Sequence, residues 1–69
     1  MDFRIDGYNK VVIGWKFKNG HIWHQYFDTA EDAQHFANKV GLVANQDIVN
    51  VVIDVPGAPR QVLKKEMQR

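Results

Sequence analysis

The sequence predicts an α+β fold, in which one helix packs on one face of a three-stranded antiparallel sheet with the element order ββαβ. Three observations support this prediction: two alternating segments around an Asn-Gly pair, an amphipathic segment after them, and a β-branched run over residues 48–55. The alternating start "MDFRID" would add a fourth strand at the N-terminus if it joins the sheet.

The first two strands are predicted to form a β-hairpin. Apolar and polar residues alternate in "KVVIGWKFK" and again in "HIWHQYF", with Asn19 and Gly20 between them. An Asn-Gly pair between such runs favours a two-residue type I′ turn, because both central residues of that turn need positive φ. This turn would place Lys16 beside Trp23 on the sheet face away from the helix.

A second hairpin register is also compatible with the alternation. A one-residue slip through a bulge would move Trp23 and Phe27 to the side of Trp15 and Phe17, because successive side chains of a strand point to opposite faces. That register buries the other large aromatic rings and exposes Ile22 and Tyr26. In both registers one sheet face has no helix on it, so it must stay wet or be covered by the C-terminal tail or a partner.

The segment "FDTAEDAQHFANKVG" predicts the helix. Thr29 suits the N-cap position, the acidic residues after it complement the helix dipole, and Gly41 suits the left-handed position beyond the last turn. Small and apolar residues share one face, namely Ala33, Phe36, Ala37 and Val40.

The run "IVNVVIDV" predicts the third strand, which we expect beside the first and antiparallel to it, in the spatial order 2-1-3. It carries one charged residue. A bare edge of this composition invites aggregation, so the strand should be central, covered, or paired with its copy in a homodimer.

Residues 1–59 are predicted to form a single domain, followed by a basic tail over residues 60–69. The tail "RQVLKKEMQR" holds four basic residues and one acidic residue. Three states remain open for it: a frayed end, a short amphipathic helix over the open sheet face, or a segment that folds on a partner.

The composition argues against catalysis, cofactors and membrane insertion. The chain has no serine or cysteine, and its one threonine is the predicted helix cap, so we expect no activated hydroxyl or thiol nucleophile. His21 and His24 should point to opposite faces of a strand, and no metal site is expected. No apolar run approaches the ~20 residues that cross a bilayer. The lack of cysteine fits a cytoplasmic protein.

A partner-binding surface is predicted from the aromatic and basic residues of the hairpin and the tail. Tryptophan and arginine contribute disproportionately to protein interfaces, although a Lys16–Trp23 cation–π pair on a solvated sheet is also compatible with the pattern. We expect a host or cognate protein as partner. Nucleic-acid binding is the weaker alternative, since the net charge is only +1. The predicted partner-binding residues are Lys16, Lys18, Trp23, Phe27, Arg60, Lys64 and Lys65.

The layout strand–NG–strand–"FDTAEDAQHFA"–strand, over residues 10–55, resembles small phage-encoded ββαβ proteins that inhibit host machinery, such as bacterial RNA polymerase. The shared features are the element order, the size, and a helix opening in which Thr29, Ala33 and Ala37 follow one another at equal intervals. This resemblance implies a non-enzymatic inhibitor that docks on a large host enzyme, and it carries over no binding residue.

The hairpin followed by "FDTAEDA" also resembles the arm-type DNA-binding domain of tyrosine integrases, which implies DNA binding. This chain differs from that pattern in having a strand after the helix and little positive charge on the predicted sheet.

Overall fold

The computed structural model describes residues 10–65, which form a four-stranded antiparallel sheet with one helix packed on it. In chain order the elements are β1 (Val11–Phe17), β2 (Ile22–Phe27), α1 (Ala30–Val40), β3 (Ile48–Asp54) and β4 (Gln61–Lys64). The spatial order is β2-β1-β3-β4, which confirms the α+β class and the 2-1-3 arrangement. The strand suggested for "MDFRID" lies outside the described residues.

The turn between β1 and β2 is not the predicted two-residue type I′ turn. The Phe17 N–H donates to the His21 carbonyl at 2.8 Å and the Gly20 N–H donates to the Phe17 carbonyl at 2.9 Å, which leaves a three-residue loop. Gly20 has a φ of +91°, as the bulge residue after a tight turn requires. The Asn19 side-chain oxygen accepts the His21 N–H at 2.9 Å.

The three-residue loop selects the second of the two hairpin registers. Trp15 pairs with Trp23, and both lie with Phe27 on the face that carries α1. Lys16 pairs with Ile22 on the opposite face, so the predicted Lys16–Trp23 contact is wrong. The physical reason is burial, because a one-residue slip would move the large rings of β2 away from the helix.

The helix α1 begins and ends at the predicted caps. Thr29 Oγ1 accepts the N–H of Asp32 at 3.1 Å, and Asp32 lies in the first turn, where a carboxylate complements the helix dipole. Gly41 has a φ of +70° and donates its N–H to the Ala37 carbonyl. Ala33 and Ala37 are buried, and their small side chains allow a close approach to the sheet.

The core lies between α1 and one face of the sheet. Ile13 of β1 pairs with Ile53 of β3, and Trp15 pairs with Val51, so the two central strands contribute a shared row of apolar side chains. The buried residues of this core are Val11, Ile13, Ala33, Ala37, Leu42, Ile48, Val51 and Ile53.

The strand β3 is central, as its nearly uncharged sequence predicts. It pairs with β1 on one side and, over Val51–Ile53, with β4 on the other. None of the three states left open for the tail describes Gln61–Lys64, which forms a strand, because a row of unpaired backbone groups on β3 is better satisfied by an extended segment. A homodimer through β3 would first have to displace β4.

The sheet face away from α1 is covered at its centre. Val12 is 1% exposed and Val52 is 5% exposed, so solvent does not reach the middle of this face. Its β2 margin is different, since Ile22 and Tyr26 are exposed there.

Candidate functional site

The predicted site residues do not form one surface. Among the strands of residues 10–65, β2 and β4 lie at opposite edges of the sheet, with β1 and β3 between them. The hairpin residues therefore lie toward one edge and the tail residues at the other. The first group is Lys16, Lys18, Trp23 and Phe27, and the second is Arg60, Lys64 and Lys65.

The tail residues Arg60 and Lys64 make contacts within the molecule. Arg60 donates through Nε and Nη2 to the two carboxylate oxygens of Asp54, at 2.8 and 2.9 Å, and both side chains are partly buried. Lys64 Nζ donates to the Asn45 carbonyl at 2.9 Å. These bonds attach β4 to the rest of the sheet, whereas Lys65 is exposed.

The hairpin turn meets the connection between α1 and β3. The backbone N–H of Lys18 donates to the Asp47 carbonyl at 2.8 Å, and Lys18 Nζ lies 3.9 Å from the Asp47 carboxylate. Together with Phe17 and Asn19, these residues line an open depression of about 300 Å³. Lys18 thus contributes to the position of the turn as well as to its charge.

An aromatic surface lies on the helix-bearing side of the hairpin. Trp23 pairs across from Trp15, whose ring centroid is 5.8 Å from that of Phe36, and Phe36 is 5.2 Å from Phe27. The His21 ring lies 5.4 Å from the Trp23 ring. These five residues, Trp15, His21, Trp23, Phe27 and Phe36, are called the hairpin aromatic cluster below.

The exposed members of this cluster, His21 and Trp23, lie near the turn between β1 and β2. Trp15, Phe27 and Phe36 are half-buried against the core, whereas Trp23 is 54% exposed. Val40 lies one helical turn beyond Phe36 and is also exposed. A large ring that is held by its neighbours and still accessible is the kind of side chain that anchors protein interfaces.

Sequence reasoning identified Trp23 and Phe27 but missed the contribution of Trp15 and Phe36. It left the face of Trp23 open between two registers, and the two-residue turn favoured by the Asn-Gly pair would have put Trp23 on the other face. Gly20 at the third loop position is the signal that could have corrected this, since three-residue hairpin loops favour glycine at their last position.

The outer edge of β2 is the second notable feature of this region. Five of the six β2 residues are exposed, and residues 21–27 contain no Asp, Glu, Lys or Arg. On the face away from α1, the rings of His24 and Tyr26 meet edge to face with centroids 5.3 Å apart.

Residues 10–65 contain no helix of the length and apolarity that a membrane crossing requires, and no group of three His, Asp or Glu side chains arranged to hold a metal ion. Comparisons with protein-family models, curated proteins and solved structures find no match. The geometry of the hairpin is therefore the basis for a functional proposal.

Proposed function

We propose that this protein is a small non-enzymatic interaction module, of the phage accessory or inhibitor type, which binds a host macromolecular machine such as RNA polymerase. The observation that supports it is the exposed Trp23 ring, which lies beside the His21 ring on the helix-bearing face, on a residue that pairs across the hairpin with Trp15. Covering the accessible part of one tryptophan removes on the order of 100 Å² of apolar surface from water, worth ~2–3 kcal/mol.

The choice of a host machine as partner rests on the resemblance between the layout of residues 10–55 and phage inhibitors of RNA polymerase. A cytoplasmic location belongs to the same proposal, because a chain without cysteine is suited to a reducing compartment.

Nucleic-acid binding would require Lys16, Lys18 and Trp23 to act on one surface. The register places Lys16 on the face opposite Trp23, and Lys18 lies beside the Asp47 carboxylate. Base stacking and phosphate contacts would then fall on different sides of the hairpin. This separation favours a protein partner.

The proposal is tested by comparing Trp23→Ala with Val62→Ala in binding to purified bacterial RNA polymerase. Val62 is also 54% exposed but lies on β4, at the other edge of the sheet. We expect Trp23→Ala to weaken binding by at least ~10-fold, as for an interface hot spot, and Val62→Ala to bind like the wild type. Surface plasmon resonance would measure both, with circular dichroism to confirm folding.

Equal affinities for the two variants would remove Trp23 from the interface, and no binding by the wild type would reject RNA polymerase as the partner. Titration with single-stranded and duplex DNA at two salt concentrations tests the other class of partner. Salt-sensitive quenching of tryptophan fluorescence by DNA would contradict the choice of a protein partner.

A further inference from the structure

The two edges of the sheet are built differently. The strand β4 is four residues long, carries Lys64 with Lys65 next to it, and pairs with β3 through an irregularity between Val51 and Val52. Short length, lysine and bulges are features by which proteins protect sheet edges from pairing with other chains. The strand β2 pairs with β1 in an unbroken register and has no charged residue or proline. Within residues 10–65, β2 is therefore the unprotected edge.

The hydrogen bonds of the hairpin determine which backbone groups face this edge. The Phe17 N–H donates to the His21 carbonyl, so His21 directs its backbone toward β1. Hydrogen-bonded and non-hydrogen-bonded pairs alternate in an antiparallel ladder. The backbone N–H and C=O groups of Ile22 and His24 consequently point outward, where an arriving strand could bond to them.

We propose that the arriving strand is β2 of a second copy of this chain, paired antiparallel about a two-fold axis at His24. In this register His24 faces the partner's His24, Ile22 faces the partner's Tyr26, and Trp23 faces the partner's Gln25. A two-fold interface requires a self-complementary strand. The β2 sequence meets this requirement because no pair in the register brings Asp, Glu, Lys or Arg side chains together.

The pairing joins the two sheets into one continuous sheet of twice the width. It covers parts of Ile22 and Trp23 that are exposed in the single chain. It also places Trp23 diagonally across from the partner's Trp23, ~7–8 Å away on the helix-bearing face. The two hairpin aromatic clusters then form one surface. The proposed dimer does not require that this protein binds RNA polymerase.

The first test compares His24→Lys with Val62→Lys by sedimentation equilibrium. Both variants add one positive charge on the sheet face away from α1, but Val62 lies on β4. We expect the wild type and Val62→Lys to sediment at twice the 8.0 kDa chain mass, and His24→Lys at the single mass, because its two ammonium groups would face each other. A wild type of single mass at millimolar concentration would overturn the proposal, as would a doubled mass for all three proteins.

The second test is a cross-link that depends on the register and stays informative if His24→Lys fails to fold. The chain has no cysteine, so His24→Cys and Ile22→Cys each introduce a single thiol. Hydrogen-bonded pairs have Cα atoms ~5.5 Å apart, which a disulfide can span, whereas the Cα atoms of Ile22 and its copy would lie roughly 14–15 Å apart. We expect His24→Cys alone to form a covalent dimer on mild oxidation. Equal cross-linking of both variants, or none, contradicts this register.

Discussion

Gly20 allows the loop that is compatible with the observed register of β2. Its φ of +91° closes the three-residue loop, and nothing lies within 4 Å of the position that a Cβ would take. Glycine is therefore required by the backbone conformation rather than by a lack of space. Because side chains alternate along a strand, the one additional loop residue directs Trp23 to the helix-bearing face.

Substitution of Gly20 should destabilise the protein through the backbone alone. Gly20→Ala is expected to lower the free energy of unfolding by about 1–2 kcal/mol, because an alanine Cβ is strained at positive φ. Gly20→Asn should cost less, since asparagine tolerates this conformation. Urea unfolding followed by tryptophan fluorescence would compare them. Equal losses for the two variants would contradict a conformational cause.

Lys10 and Asp28 form an exposed ion pair whose effect depends on pH. The hydrogen bond from Lys10 Nζ and the charge of Lys10 lower the pKa of Asp28 below its ordinary value of 3.8. A carboxyl with a lowered native pKa contributes stability above its ordinary pKa, and this contribution is lost as the pH falls through the native pKa.

Replacement of Lys10 by methionine should return the pKa of Asp28 toward 3.8. Carboxyl chemical shifts measured by NMR during an acid titration would report the midpoint. The difference in stability between the wild type and Lys10→Met should shrink as the pH falls below the pKa of Asp28 in the wild type. An unchanged midpoint would show that Lys10 does not control this carboxyl.

At the scale of the elements, β4 depends on side-chain bonds at both of its ends. Its backbone pairs with β3 only over Val51–Ile53. Before the strand, Arg60 binds Asp54 through two parallel hydrogen bonds, and at its end Lys64 donates to the chain after α1. Such support matters because a short edge strand has few backbone bonds of its own.

Arg60→Lys should destabilise β4 although it keeps the charge. A lysine ammonium cannot reproduce the paired N–H groups of a guanidinium, and we expect a loss of about 1–2 kcal/mol for this partly buried pair. Lys18→Met is the control, because the Lys18–Asp47 pair is exposed and long, and such pairs contribute below about 1 kcal/mol.

Chemical denaturation gives both free energies of unfolding, and hydrogen exchange at Val62 and Leu63 reports the opening of β4. Faster exchange at these amides should accompany Arg60→Lys and not Lys18→Met. Similar behaviour of the two variants would show that the bidentate geometry is not needed.

For the molecule as a whole, stability depends mainly on the core between α1 and the sheet. A core in a domain of this size supplies about 3–5 kcal/mol of net stability. Ile13, Val51 and Ile53 are completely buried in it. One large cavity in this layer can therefore remove most of the free energy that holds the fold together.

Ile53→Ala should leave the chain largely unfolded at 25 °C. Removal of a buried isoleucine side chain costs about 2–5 kcal/mol, which matches the whole expected stability, whereas Ile53→Val costs about 0.5–1.5 kcal/mol and should stay folded. Thermal melting by circular dichroism would distinguish the two. A cooperative transition of Ile53→Ala close to that of the wild type would contradict a single marginal core.

The candidate site was predictable in part. A tryptophan in an uncharged strand is visible in "HIWHQYF", and Trp23 is 54% exposed, whereas Trp15, Phe27 and Phe36 of the hairpin aromatic cluster are half-buried. The residues around Trp23 could not be predicted from the sequence. The contact of Phe36 with Trp15 depends on the register of the hairpin and on the path of α1 across the sheet. The bond of Arg60 to Asp54 was also not predicted, because it joins two residues across the loop between β3 and β4.

The sequence by itself determined the features that depend on neighbouring residues. Thr29 and Gly41 bound the helix through local hydrogen bonds, and alternation identified the first two strands. The tertiary structure decided the face of Trp23 and the extended state of Gln61–Lys64. Both outcomes depend on residues distant in the chain, since the first is set by burial of rings against α1 and the second by backbone groups of β3 that need partners.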